Sequence, residues 1–375
     1  MSDFDDLPDV GIPEVKKHEV SDKFPYEVAF NMGFVGLGQG GGRIAETFFK
    51  LGYGRVGVIN SAHEDLKDID DAIEKLDMGK GGAGQDMAKG AAYVQQHEED
   101  IWNLLTRAVG DKPDYLLCCA SLGGGTGSGG IARLVGIARK YMEEIGRPAE
   151  RVGVIVSLPQ AYEGQRTCRN AVQAFREVAA TRPTPFFIID NKRIEERYQV
   201  GALGKFATCN NQIAKLFHLF NRLAAQRSQL LTFDRADYAA LLDSGVIVFG
   251  ASPIAKYESK ADIAECVRQQ LEQTVLAQVD LRRGKKAGCI FLGGESVLQQ
   301  VPMDFFGGGF SSLGRLLADD NTIYRGVYVG NSDDLRCYTM IAELPPPTER
   351  LEELAKQARL SSGSGGVAEH FGIDG

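Results

Sequence analysis

The sequence contains no uninterrupted apolar run near the ~20 residues that a helix needs to cross a bilayer. Its opening, MSDFDDLPDV, has neither the basic nor the apolar region of a secretory leader. Both absences lead to the expectation of a cytoplasmic chain without a membrane partner. Cysteine is sparse and unpatterned: the seven residues show no paired metal spacing, and Cys118 and Cys119 sit inside the apolar run YLLCCA. Reduced, buried thiols are expected, and a disulfide framework or zinc site is not. The formal net charge is −8 with no dense basic block, so direct nucleic-acid binding is not expected. No internal repeat is found.

What is present reads as globular. The 375 residues are 43% hydrophobic and 25% charged, enough for one large or two ordinary domains with their own cores. Residues 1–27 are rich in Asp, Glu, Lys and Pro without apolar periodicity and read as a flexible arm. From Val28 onward, short apolar runs (AFNMGFVG, RVGVIN, YLLCCASL, RVGVIVSL, PFFIID) alternate with turn residues and helical stretches. That alternation predicts an α/β fold with a parallel sheet in a nucleotide-binding domain over 28–202. Ile131, Leu134, Val135, Ala138 and Met142 recur at helical spacing, as in a helix covering the sheet. A glycine-poor stretch with Ile213, Leu216, Phe217, Phe220 and Leu223 at spacings of three and four predicts one long central helix over 203–231. The runs SGVIVFGAS, AGCIFLGG, GVYVGN and YTMIAEL, with a helix through ADIAECVRQQLEQTVLAQ, predict a smaller mixed α/β domain over 232–345. A tail over 346–375 carries one amphipathic helix after PPP and ends in a disordered SSGSGG segment.

Three glycine clusters stand where strands hand over to helices. SLGGGTGSGG follows YLLCCA, GLGQGGGRIAETF follows the first strand, and GKGGAGQDMAKG precedes another helix. A strand, a glycine turn and a helix N-terminus surround one concave spot with backbone N–H groups, which favours phosphate or another anion. No Lys follows the glycines of SLGGGTGSGG, so a lysine-dependent P-loop is disfavoured and neutralising charge must come from amides, a metal ion or residues elsewhere. Gly36, Gly38 and Gly41 also satisfy G-x-G-x-x-G, but RVGVIN ends in Asn60, and the acids Glu64 and Asp65 come later than a ribose-binding acid should. A nicotinamide oxidoreductase stays as a secondary reading. On its own, the third cluster reads equally as an ordinary surface loop.

The string Ser121 to Gly129 resembles the signature loop of the tubulin and FtsZ superfamily of GTP-binding, filament-forming proteins. The resemblance implies GTP or GDP as ligand, with Ser121, Gly123, Gly124, Gly125, Thr126, Gly127 and Ser128 around the phosphates. Gly38, Gln39, Gly40 and Gly41 resemble the first phosphate loop, with Gln39 near phosphate and Mg²⁺. Gly81, Gly82, Ala83 and Gly84 resemble the loop facing the terminal phosphate. In YEGQRTCRNA, Glu163 and Arg166 resemble the FtsZ-type segment beside the ribose. Asn191, after PFFIID, and Asn211 with Phe206, in KFATCNNQI, fall where the family reads guanine. An amide accepts from the N1/N2 edge or donates to O6, and Phe206 offers a ring to stack on the base. Apart from the resemblance, Asn191 reads as a turn residue and Asn211 as a polar helix face.

LLTFDRADYAALL resembles the loop that completes the family's GTPase site, with its two acids at Asp234 and Asp237. Taken alone, these read as helix-capping or solvated carboxylates. From Asn211 to Asp234 the chain advances 23 residues, roughly 35 Å if it is one straight helix. The acids are therefore expected to act on a neighbour's GTP in a head-to-tail homopolymer, orienting the attacking water while the glycine loops and Mg²⁺ stabilise charge on the phosphates.

The resemblance spans roughly residues 30 to 345. It departs from the family at Gly42, where Asn is usual, at NSAHEDL, where FtsZ proteins read N-T-D, and at Thr232, where Asn is usual. The tail lacks an apolar and basic docking peptide of the FtsZ kind, which weakens a division-ring role. The mixture of tubulin-like and FtsZ-like features suggests a divergent prokaryotic, plasmid or phage member. Two readings follow: an assembly-activated GTPase that forms filaments, or a regulatory relative that binds guanine nucleotide without polymerising. The termini are candidate adaptor contacts in either case.

Overall fold

The computed structural model describes residues 28–359 apart from Lys80, residues 198–204, 272, 273, 275, 332 and 333. The arm expected over 1–27 and the end of the tail lie outside the described residues. In chain order the elements are β1 (Met32–Leu37), α1 (Gly38–Lys50), β2 (Val56–Asn60), α2 (His63–Lys67), β3 (Glu74–Asp77), α3 (Met87–Gln96), α4 (Glu98–Ala108), β4 (Tyr115–Ser121), α5 (Thr126–Glu144), β5 (Val152–Leu158), α6 (Gln165–Ala180), β6 (Phe186–Asp190) and α7 (Asn191–Arg197). They continue with α8 (Lys205–Leu223), α9 (Arg235–Leu242), β7 (Val246–Pro253), α10 (Lys260–Gln270), β8 (Lys286–Gly294), α11 (Glu295–Leu298), α12 (Met303–Gly314), β9 (Thr322–Gly330), β10 (Leu335–Leu344) and α13 (Thr348–Ala358). Among the described residues these gather into two compact units, one of residues 32–49, 53–192 and 347–359, the other of 28–31, 50–52 and 193–346.

In the first unit, strands run in the order β3-β2-β1-β4-β5-β6 and every pairing is parallel. Parallel strands covered on both faces need continuous apolar runs. MGFVGL, VGVIN, VGVIVSL and FFIID are buried throughout, and YLLCCAS is buried up to Ser121. The chain starts in the middle with β1, winds outward through β2 and β3, and then returns to build from β4 the other way. Strand order thus reverses between β1 and β4, and their carboxyl ends open the crevice where doubly wound sheets place ligands. The helix expected from Ile131 begins earlier, at Thr126, so much of the glycine string is helical. α13 forms where the tail helix was expected and packs on α6, with Leu351, Leu354, Ala355 and Ala358 buried.

The second unit holds a mixed sheet in the order β7-β10-β8-β9, antiparallel except for the β8–β9 pair. The central helix is shorter than its apolar pattern predicts and ends at Leu223. Beyond it, the Ser228 hydroxyl donates to the Val327 carbonyl and accepts from Leu230 N–H at 3.0 Å, while Thr232 Oγ1 accepts from Ser228 N–H at 3.1 Å. Such short side chains take over the backbone bonds that would continue a helix. Only ~18 Å of the path from Asn211 toward Asp234 is therefore helical, which corrects the straight-helix distance. Two elements give little sequence signal. β3, EKLD, is a polar edge strand, and α12, MDFFGGGFSSLG, is helical despite its glycines. A Cβ on Gly308 would lie 2.3 Å from Lys260 Cγ, so tight packing against α10 outweighs helix propensity.

α8 is apolar nearly all round, with Ile213, Ala214, Leu216, Phe217, Leu219, Phe220 and Leu223 buried, as befits a core helix. His218 is buried among them, and burial, with the nearby Arg222 charge adding to it, pushes its imidazole down to about 4 from 6.5. The unfolded chain then binds one proton more than the native chain between those values. Stability should consequently fall as pH drops from about 6.5 to about 4 and level off below, by about 3 kcal/mol in total. Urea titrations across pH should show this slope in the parental chain and its loss in His218→Gln.

Candidate functional site

The strand-order reversal in the first unit is filled by three loops that meet backbone to backbone. Gly38 follows β1 with φ +72°, a left-handed conformation that glycine adopts freely, and a Cβ there would lie 3.2 Å from Gly127 N. Across the crevice Ser121 closes β4, and Gly125 precedes α5. A Cβ on Gly125 would sit 2.7 Å from Ala83 Cβ and 2.8 Å from Asp86 N, and one on Gly90 would sit 2.2 Å from Gly125 O. Ser61, after β2, accepts Gly82 N–H on its carbonyl at 2.8 Å and shares a 2.7 Å hydroxyl bond with Thr126. The structure thus brings Gly38–Gly41, Gly82–Gly84 and Ser121–Ser128 together. Gly125 has no side chain with which to cap α5, so the first-turn N–H groups and the helix dipole favour an anion there.

Gln39 and Asn60 converge on one carboxylate. Gln39 Nε2 donates to Asp65 Oδ1 at 3.0 Å and Asn60 Nδ2 to Asp65 Oδ2 at 3.1 Å. Asn60 Oδ1 in turn accepts from Ser61 N–H at 2.8 Å, so Asn60 shapes the turn after β2. Among the described residues no group of three or more His, Cys, Asp or Glu could hold a metal by itself. Gln39 and Asp65 do offer oxygen ligands beside the cradle, which suits Mg²⁺ carried on substrate phosphates.

Sequence reading missed Asn170. Its buried amide donates to Gln85 O at 2.9 Å and Gly124 O at 3.1 Å, with a longer contact to Gly123 O at 3.4 Å, pinning the second and third glycine loops to α6. Nothing in RTCRNA marks a side chain whose partners lie so far away in sequence. Arg166 is exposed and, with Arg169, Asn170, Gln85 and Asp86, lines a recess of about 450 Å³. Glu163 accepts Gln160 N–H at 2.7 Å, and Gln160 Nε2 donates to Asn191 O at 2.9 Å, so Glu163 and Asn191 are joined through one glutamine.

The remaining expected residues belong to the second unit. Asn211 is exposed on α8, and the side chain of Phe206 lies outside the described residues. Asp234 and Asp237 form a capping box on α9. Asp234 Oδ1 accepts from Ala236 N–H at 2.8 Å and Asp237 N–H at 3.0 Å, and Asp237 Oδ2 accepts from Asp234 N–H at 3.2 Å. Burial pushes the Asp237 carboxyl up, against the bond from Asp234 N–H that draws it down. Between them Arg235 lies 4.5 Å over the Phe30 ring. The capping role read from the residues alone is therefore present in the structure.

The model of the tubulin/FtsZ family GTPase domain matches residues 31–199, which contain the whole cradle. A tubulin-like protein TubZ from Clostridium botulinum C phage is 22% identical over 251 residues, 65% of this chain and 64% of its own. Cell division protein FtsZ 1 of Pyrococcus woesei is 24% identical over 298 residues, 77% of this chain and 76% of its own. The chain is similar to tubulin-like proteins, with the family's GTPase-domain match over residues 31–199. Its tubulin-like fold superposes on TubZ of Bacillus thuringiensis serovar israelensis in a GTPγS-form protofilament with a TM-score of 0.74 at 18% identity, covering 89% of this chain and 92% of that one. CetZ2 of Haloferax volcanii, in a GTPγS-bound protofilament, gives 0.72 at 19% identity, covering 88% and 97%. No helix among the described residues is long and apolar enough to cross a membrane.

For this tubulin-like cradle the approach of Gly90 to Gly125 gives a direct test. Gly90→Ala puts a methyl against backbone that has nowhere to move, and overpacking of this kind costs about 1–3 kcal/mol. Denaturant melts should show that loss, and titration with a fluorescent guanine nucleotide should show weaker binding than in the parental chain.

Proposed function

We propose that this tubulin-like chain binds GTP in the glycine cradle and hydrolyses it when copies stack head to tail, Asp234 and Asp237 of one copy completing the neighbour's site. The observation that carries this reading is the cradle itself: three loops at a strand switch point, packed so closely that backbone amides rather than side chains face the ligand. Amides of Gly38–Gly41, Gly82–Gly84 and Ser121–Ser128 hold the phosphates, Glu163 and Arg166 lie toward the ribose, and Asn191 reads the guanine edge. Gln39 and Asp65 would hold Mg²⁺ brought in with the nucleotide, and the ion would supply neutralising charge for the phosphates.

The acids act by orientation. Each uses one carboxylate oxygen to close the α9 cap and has a second with which to align water for in-line attack on the terminal phosphate. The protofilaments recorded for TubZ and CetZ2 support a head-to-tail arrangement. Such an interface joins two different surfaces and so propagates. Assembly and hydrolysis are then one event, and a cytoplasmic filament is the product.

GTP turnover and right-angle light scattering, followed across protein concentration, should rise together above a shared threshold. Asp237→Asn keeps the size and an acceptor for the cap but removes the charge. It should bind GTP with the parental Kd and turn it over at least about tenfold more slowly. Parental turnover in that variant would overturn the role of the acids, and turnover proportional to protein would favour a guanine-nucleotide-binding relative that does not polymerise.

A further inference from the structure

The base side of the cradle is braced by a buried charge from the tail helix. Arg350, in the first turn of α13, has a side chain only 5% exposed, and its partner Asp190, the last residue of β6, is 3% exposed. Arg350 Nε lies 3.0 Å from both Asp190 oxygens, one terminal nitrogen donates to Glu353 Oε2 at 3.1 Å, and the other donates to Pro159 O at 2.6 Å. Asp190 also accepts Lys192 N–H at 3.1 Å, and Lys192 Nζ bonds both Glu353 oxygens at 3.0 Å. Burial would raise the Glu353 carboxyl, but the Lys192 bond and the Arg350 charge hold it below its usual range.

The two acceptors of Arg350 on the sheet stand next to nucleotide-facing residues. Pro159 precedes Gln160, whose N–H binds Glu163 and whose amide binds Asn191 O. Asp190 precedes Asn191. β5 and β6 are paired up to Leu158 and Asp190, and the guanidinium ties Asp190 to Pro159, the first residue past β5, and with them the placement of Asn191 and Glu163. The fold does not require charge here: α13 already buries Leu351, Leu354, Ala355 and Ala358, and well-packed apolar residues generally stabilise as well as a buried ion pair. What a planar guanidinium with each nitrogen on a different partner adds is fixed direction and distance.

We infer that Arg350 is a positioning residue for guanine recognition: through Asp190 and Pro159 it holds Asn191 and Glu163 in register, which makes the tail helix part of the specificity apparatus of the nucleotide site. This rests on the GTP reading above. The residues concerned lie within the first unit, so the brace does not depend on assembly.

The test uses the full chain with Arg350→Met and Asp190→Leu combined, alongside Arg350→Lys, which keeps the charge and loses the fork. GTP and ATP compete against a fluorescent guanine nucleotide, and unfolding midpoints are read in parallel. The double variant should unfold near the parental midpoint, while its GTP Kd rises about tenfold, ATP competition weakens by less, and the GTP-to-ATP preference shrinks. Arg350→Lys should fall between. A folded double variant with parental GTP Kd and parental preference overturns the inference. If the double variant does not fold, Glu353→Gln loosens the half-exposed side of the same brace and should raise the GTP Kd about two- to threefold, no change being the overturning result. A parental chain that ignores GTP sinks the GTP reading itself, before any variant is compared.

Discussion

Backbone has to meet backbone without intervening side chains for the rest of this structure to follow. An anion held by peptide N–H groups needs several of them aimed at one spot, and the strand ends and helix starts that supply them cannot approach so closely if Cβ atoms stand between them. Here Gly38, Gly90 and Gly125 remove those atoms where α1, α3 and the turn before α5 converge. The parallel sheet provides the frame by placing the reversal of strand order between β1 and β4. Ser61 and Asn170 then fix the loops to one another by hydrogen bonds.

Much of this was legible in the chain because the signals are local. Runs such as YLLCCAS and VGVIVSL, short, apolar and bounded by turn residues, read as strands buried on both faces, and the glycine strings mark where YLLCCAS and the first strand end. The less legible parts depend on partners distant in sequence. Asn170 looks like any polar residue on α6 until Gln85 and Gly124 are seen against it. The end of α8 at Leu223 is set by Ser228 reaching Val327, although the apolar spacing around it reads on as helix. β3 carries no apolar alternation because it is an exposed edge, and α12 hides behind glycines that exist for packing against α10.

The acids of LLTFDRADY cap each other across the start of α9. Their mutual capping sets where α9 begins, which fixes the direction in which both carboxylates point. A cap made from two acids rather than from Ser and Glu concentrates negative charge at a helix start, where the dipole tolerates it. At α13 one arginine likewise docks a helix and ties the end of β6 to the residue after β5.

A cradle made of amides is indifferent to most of its own spelling. Every residue but proline carries the same N–H, so the recognition surface is written in the path of the chain and not in its letters. Substitutions elsewhere in such a protein can accumulate for as long as that path is kept, and what resists replacement is empty space. The absence of atoms at a few glycines, more than the presence of any side chain, is what two distant bearers of this cradle have to share.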